Sequence, residues 1–277
     1  MAYKSLILEK AGAIAIITLN RPDVGNAFDI FLMNELDAAI REVGMDPDIR
    51  AVIMTGAGKH FSTGIDLSMF SSLGKQAAEL SEEQETQPAQ DPEDQTYGEG
   101  TLVATVVRIR NMNKPVIAAI NGAAIGAGLG LALACDIIIA SDKARFSMVF
   151  VKRGVGPDTA TSFTLPRIVG LPRACELTLT GDTIDAAEAD RIGLVSRVVP
   201  HDDLMRTARE LAERIAKNPP LAVGMAKAAL HRGMAGTDIL EHMKYEVDVQ
   251  GKLLNTEDFM EAATAFLEKR EPVFKGK

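Results

Sequence analysis

Apolar residues follow two rhythms along this chain. Leu6-Ile-Leu8 and Ala13-Ile-Ala-Ile-Ile-Thr-Leu19 are dense short runs that predict two strands joined by a turn at Lys10-Ala-Gly12. Asn20-Arg-Pro-Asp-Val-Gly25 then interrupts the pattern with Pro and Gly. Phe28, Phe31, Leu32, Leu36, Ile40 and Val43 recur at helical spacing and predict an amphipathic helix. Ala51 to Thr55, Pro115 to Ile120 and Asp136 to Ala140 read as buried strands, with a helix from about Gly126 to Cys135 before the last of them. Short apolar strands alternating with helices predict parallel βα units and an α/β core. After Val199-Pro200 the pattern turns helical over 202–217, 221–233, 239–254 and 257–270. The expected division is a core over 1–200 and a helical C-terminal region over 201–277.

Composition narrows the class of protein. At 277 residues, 47% hydrophobic and 25% charged, the chain can bury a substantial core. Thirty Lys and Arg against 38 Asp and Glu leave a net charge of −8, which disfavours nucleic acid or an anionic membrane as the main partner. Much of that charge sits between Lys75 and Gly100, a polar acidic stretch expected to be an insert between core elements. A sharper reading makes it a lid. Two cysteines, Cys135 and Cys175, offer no disulfide framework, and Met1 to Lys10 reads as a strand rather than a leader. The longest apolar stretch, Val116 to Ala140, is broken by Asn121, Asp136 and glycines, so no membrane span is expected. A cytoplasmic enzyme is the expected class.

Several signatures fail. Gly126-Ala-Gly128 begins like a dinucleotide fingerprint, but Leu131 occupies its third position. Gly56-Ala-Gly58-Lys59 is followed by His60, not the Ser or Thr of a phosphate loop. His60, His201, His231 and His242 lack metal-ligand spacing, so no metal is expected. Two glycine-bearing segments remain, His60-Phe-Ser-Thr-Gly-Ile-Asp-Leu67 and Asn121-Gly-Ala-Ala-Ile-Gly-Ala-Gly-Leu-Gly130, each following a buried strand. Glycines like these often serve only close packing. Together, though, the two segments could bring two backbone N–H groups onto one oxygen, forming an oxyanion hole.

On these segments the chain resembles the crotonase superfamily, the enoyl-CoA hydratases and isomerases, over nearly its whole length. The matching stretches are Leu19-Asn-Arg-Pro22, Asn26-Ala27, Phe61 to Leu67, Lys114 to Gly122, Cys135-Asp136, Thr180-Gly-Asp182, Gly193-Leu-Val195 and Phe266 to Arg270. The resemblance implies a spiral of ββα units and a helical C-terminal region that forms a homotrimer or a dimer of trimers. It also implies an acyl-CoA thioester as substrate, with no further cofactor. Carried over by position, the backbone N–H groups of Ile65 and Ala127 would hold the thioester oxygen, Ala127 standing where the family usually has Gly. Ala27, Gly64, Ile65, Asp66, Leu67, Ser68, Gly126 and Ala127 would line the coenzyme A path. Asp66 also reads as an N-cap for the helix that follows it.

The family pattern breaks at the two glutamates that hydratases use. They would fall at Gly130 and Phe150, and neither residue carries a carboxylate. Asp158, in Gly154-Val-Gly-Pro-Asp158, reads locally as the N-cap of a helix beginning near Thr159. Several crotonase-like isomerases carry a catalytic Asp at this position, which makes Asp158 the candidate acid/base. A dry pocket made by Phe150 and Met148 would raise its pKa. The expected activity is a double-bond shift in an acyl-CoA through a thioester enolate. The alternatives are an enoyl-CoA or cyclic dienoyl-CoA hydratase with a substituted catalytic group and a non-catalytic acyl-CoA-binding protein.

Overall fold

The computed structural model describes residues 3–69, 99–236 and 238–277. The acidic insert expected over 75–100 lies outside the described residues except for Glu99 and Gly100, which bond to Arg41 and Asp37. In chain order the strands are β1 (Leu6–Ala11), β2 (Ile14–Leu19), β3 (Ala51–Gly56), β4 (His60–Ser62), β5 (Val116–Ile120), β6 (Ala123–Ile125), β7 (Ile137–Ser141), β8 (Arg145–Ser147), β9 (Thr183–Asp185) and β10 (Arg197–Val199). The helices are α1 (Ile30–Met45), α2 (Leu102–Asn111), α3 (Ala127–Ala134), α4 (Thr161–Val169), α5 (Leu171–Thr180), α6 (Ala186–Arg191), α7 (Leu204–Ala216), α8 (Pro220–Met234), α9 (Ile239–Leu253) and α10 (Glu257–Glu268).

The apolar runs build a six-stranded sheet in the order β1-β2-β3-β5-β7-β10. Only β1 and β2 run antiparallel in it. Their pairing continues to Ala11 and Ile14, so the turn sits at Gly12-Ala13, one step beyond the expected place, and Gly12 takes the left-handed φ of +58°. The sheet is covered on both faces, which is why its strands read as unbroken apolar runs rather than alternating ones. Ile17, Val52, Ala118 and Ile138 pack with α1, α2 and α3 on one face. Ile16, Ile53, Ile117 and Ile139 pack beneath Leu204, Ala208 and Ala212 of α7 on the other. Each such side chain contributes roughly 1.5–3 kcal/mol by leaving water.

A smaller sheet, β4-β6-β8-β9, runs alongside. Twice in succession a strand of the large sheet is followed by a strand of the small one and then a helix, β5–β6–α3 and β7–β8–α4. This is the expected ββα spiral. Helix α1 starts as expected, with the Asp29 carboxylate accepting from Leu32 N–H at 2.8 Å. Helix α4 does not. It begins at Thr161, because Thr159 and Ala160 hold φ values of +52° and +57° that no α-helix accepts. In α9 no residue is buried, and Ile239 and Val247 on it, with Phe266 and Leu267 on α10, are exposed. Among the described residues, no helix is long and apolar enough to cross a membrane.

Candidate active site

The first glycine segment is held by a buried asparagine. Asn26, itself at φ +55°, donates to the carbonyls of Ala57 and His60 and accepts from Arg21 N–H. Ser62 donates to Asn26 O and accepts from Gly64 N–H. Beyond it, Phe28 N–H donates to Gly64 O and Asp66 N–H to Phe28 O, a short parallel bridge between Phe28 and Ile65. That pairing uses the groups on either side of Ile65. Among the described residues, the Ile65 N–H has no acceptor.

The second segment supplies a similar group. Gly126, at φ +54°, precedes α3 and donates to Ser147 O. Ala127 is the first helical residue, so its N–H has no acceptor within the helix. The two segments touch. A Cβ on Gly64, which sits at φ +92°, would lie 2.8 Å from Ile125 O and 3.6 Å from Ala127 N, and one on Gly128 would lie 2.8 Å from Ser62 Cβ. Glycine is what allows Ile65 and Ala127 to approach. Both line one cavity of about 340 Å³, and among the described residues neither N–H has an acceptor. Two such donors facing one cavity can bind an oxygen that gains negative charge.

Ala27, Gly64, Asp66 and Gly126 line the same cavity. Asp66 also caps the turn Leu67–Met69, accepting from the Ser68 N–H and hydroxyl at 3.1 and 2.7 Å. Those two bonds hold its carboxyl below the ordinary range, with help from the Arg21 guanidinium at 3.3 Å. Ser68 is therefore engaged with Asp66. Arg21 carries no functional signal of its own in the sequence. It also pairs with Asp29 and donates to Ala27 O, tying the cavity wall to α1.

Asp158 lines the same cavity. Its carboxylate does not cap α4. Ala160 is the N-cap residue, and Asp158 contributes only its backbone carbonyl, which accepts from the Thr161 N–H and hydroxyl at 2.9 and 2.7 Å. The carboxylate Oδ1 accepts from the Thr159 hydroxyl at 2.6 Å. Although Asp158 as a residue is exposed, the protein crowding its carboxyl raises its pKa by desolvation, and the Thr159 bond pulls it partway back. Phe150 faces the cavity as expected, but Met148 does not line it. Val149 and Val155 supply the apolar wall instead, and Arg153 brings a positive charge to it. The exposed run from Val151 to Asp158 leaves this side open to water.

Position 130 is not empty space left by a missing carboxylate. A Cβ on Gly130 would meet Thr159 Cβ at 2.7 Å and Thr161 Cγ2 at 3.0 Å, so threonine side chains fill the place. A larger cavity, about 540 Å³, opens beyond the other end of α3 between Leu133, Phe163 and Met234. There Lys227 and His231 both pair with Asp136, at 2.8 and 2.7 Å. The smaller cavity is the candidate site because, among the described residues, it combines the Ile65 and Ala127 N–H groups with a carboxylate, Asp158, that no cation pairs with. Among the described residues, no three His, Cys, Asp or Glu side chains gather as a metal site would need.

The family profile described as enoyl-CoA hydratase/isomerase matches residues 9–277. The short-chain-enoyl-CoA hydratase of Clostridium acetobutylicum is 39% identical over 274 residues, covering 98% of this chain and 97% of that protein. The crotonyl-CoA hydratase of Syntrophomonas wolfei is 39% identical over 279 residues, covering all of both. Among solved structures, the enoyl-CoA hydratase of Bacillus anthracis superposes with a TM-score of 0.88 at 32% identity, over 99% of this chain and 100% of that one. An enoyl-CoA hydratase from Polaromonas gives 0.85 at 29% identity, over 97% and 99%.

Proposed function

This chain belongs to the enoyl-CoA hydratase/isomerase family and has the crotonase fold, and within that family we propose that it shifts a carbon–carbon double bond in an acyl-CoA. The observation that carries this reading is Asp158, which lines the same cavity as the N–H groups of Ile65 and Ala127 and, among the described residues, pairs with no cation.

The thioester oxygen accepts from Ile65 and Ala127. Asp158 takes a proton from C2 of a 3-enoyl thioester, and the C–H electron pair moves into the C1–C2 bond as charge builds on the thioester oxygen. The protonated Asp158 then gives its proton to C4. The C2–C3 double bond forms as the C3–C4 bond becomes single, and nothing is added or lost. Each backbone donor lowers the barrier by roughly 2.7–4 kcal/mol, and the carboxylate contributes roughly 10²–10⁴-fold as acid/base. Ala27, Gly64, Asp66 and Gly126 supply the coenzyme A wall.

The relatives named above are hydratases, and their names favour the second reading, hydration. Water addition needs a base for the water and an acid for the α-carbon. Against it stand Gly130, hemmed in by threonines, and Phe150, an apolar wall, at the two positions where family hydratases carry glutamates. The other carboxylate of the cavity wall, Asp66, is held by Arg21 and Ser68. The apolar exposure of Ile239, Val247, Phe266 and Leu267 supports the trimer implied by the family, with α9 and α10 as its contact surface.

Incubating the protein with 2-enoyl-, 3-enoyl- and dienoyl-CoA thioesters in deuterated water, followed by mass spectrometry, decides the matter. A shifted double bond with deuterium uptake and no added water is expected. A product heavier by one water establishes hydration, and binding without turnover of any thioester establishes a carrier.

A further inference from the structure

Thr159 adopts a backbone conformation that a β-branched residue normally avoids, and it does so while buried, at φ +52° and 7% exposure. Packing against α3 asks only for a side chain of this shape, which a valine would supply as well. What threonine adds is a hydroxyl. Among the described residues that hydroxyl has one partner, Asp158 Oδ1 at 2.6 Å, a short charge-assisted bond. No described residue donates to Asp158 Oδ2. The methyl side of Thr159 rests on α3, with its Cγ2 3.0 Å from where a Cβ on Gly130 would stand, so the side chain has little room to turn. Thr161 holds Asp158 from the other end by donating to its backbone carbonyl at 2.7 Å.

We propose that Thr159 is a positioning residue for the acid/base. It pins Oδ1 of Asp158 against the α3 wall and leaves Oδ2 to exchange the proton with substrate carbon. The absent side chain at Gly130 is part of the device, because Thr159 occupies that space. This inference rests on the isomerase reading for its consequence in catalysis, but the positioning itself is measurable without turnover.

The test compares Thr159→Ser with Thr159→Ala. Both lack the β-branch and relieve the strain equally, so the hydroxyl is the only difference that remains. Thr159→Val serves as a third variant that keeps the shape. The Asp158 carboxyl is titrated by carbon NMR in the whole protein, its signal identified by loss in Asp158→Asn. The Ala and Val variants should titrate about one pH unit higher than wild type, and Ser should match it. For 3-enoyl-CoA, Ala and Val should lose about tenfold in kcat with KM changed less than twofold, while Ser keeps most activity. Should Val fail to fold, the Ser and Ala pair still decides. Equal titration of Ser and Ala overturns the proposal, whatever the activity. The predicted NMR difference in a protein that does not isomerise leaves the positioning standing and sinks the isomerase reading instead.

Discussion

The Cβ that any other residue would add at Gly130 falls 2.7 Å from the Cβ of Thr159, and these two positions therefore behave as one. Gly130→Glu should not convert the protein into a hydratase. Overpacking of this kind costs about 1–3 kcal/mol, visible as a lower Tm, and no hydrated product should form from crotonyl-CoA. Adding Thr159→Gly should recover most of that stability by opening the space. Stable folding of Gly130→Glu alone, with Tm unchanged, would show that Thr159 moves aside easily.

Replacing Asp158 separates turnover from binding. Asp158→Asn keeps the shape and the Thr159 contact but cannot take a proton at the substrate carbon. The isomerisation kcat should fall roughly 10²–10⁴-fold, while the affinity for a saturated acyl-CoA, measured by calorimetry, stays within about twofold. Unchanged turnover would remove Asp158 from the mechanism.

The pH profile follows from the same carboxylate. The protein packed about the Asp158 carboxyl raises its pKa above the usual Asp value of about 3.9 by partial desolvation. The base acts in its ionised form, so activity is present above that raised pKa and is lost as pH falls through it. The acidic limb of kcat/KM should accordingly have its midpoint above about 4. A midpoint at or below the ordinary value means that another group limits the rate or that the carboxyl is fully hydrated in the working enzyme.

How much of this site could be read from the sequence depended on distance along the chain. The Gly64 and Gly126 segments were legible because a close backbone approach demands glycine locally, and the strands because sheets covered on both faces need unbroken apolar runs. The local N-cap reading of Asp158 fails for a physical reason: the left-handed pair Thr159-Ala160 delays the helix to Thr161, and neither residue type signals such a conformation. Contacts between distant positions left no local trace. Arg21 meets Asp66 across 45 residues, and Thr159 fills the space at Gly130 only once α3 and α4 have packed. Val24, Ile125, Val149 and Arg153 reached the cavity wall in the same way, through tertiary packing rather than motif.

Subunit contact through the last two helices makes its own prediction. Phe266 and Leu267 are 82% and 80% exposed in the single chain, a costly surface unless another copy covers it. Wild type should sediment as a trimer or larger, a multiple of 29.7 kDa. Replacing both residues with Glu should shift it toward the single-chain mass, with the fold retained by circular dichroism. A wild type that already sediments as one chain would rule this surface out as a subunit contact.

Gly64 bears the most stringent backbone demand in the site. Its φ of +92° disfavours any side chain, and a Cβ would press on Ile125 O at 2.8 Å, inside the contact that brings Ile65 beside Ala127. Gly64→Ala should cost about 1–3 kcal/mol of stability from backbone strain. It should cost more in rate than in stability, because pushing the two segments apart misplaces one donor, and a lost oxyanion donor lowers kcat about 10²–10³-fold. Saturated acyl-CoA, whose carbonyl carries little charge, should bind nearly as well as before, since the donors matter most where charge develops. A variant that loses binding and rate in equal measure would instead point to a distorted coenzyme A wall, leaving the role of Ile65 and Ala127 as oxyanion donors without support.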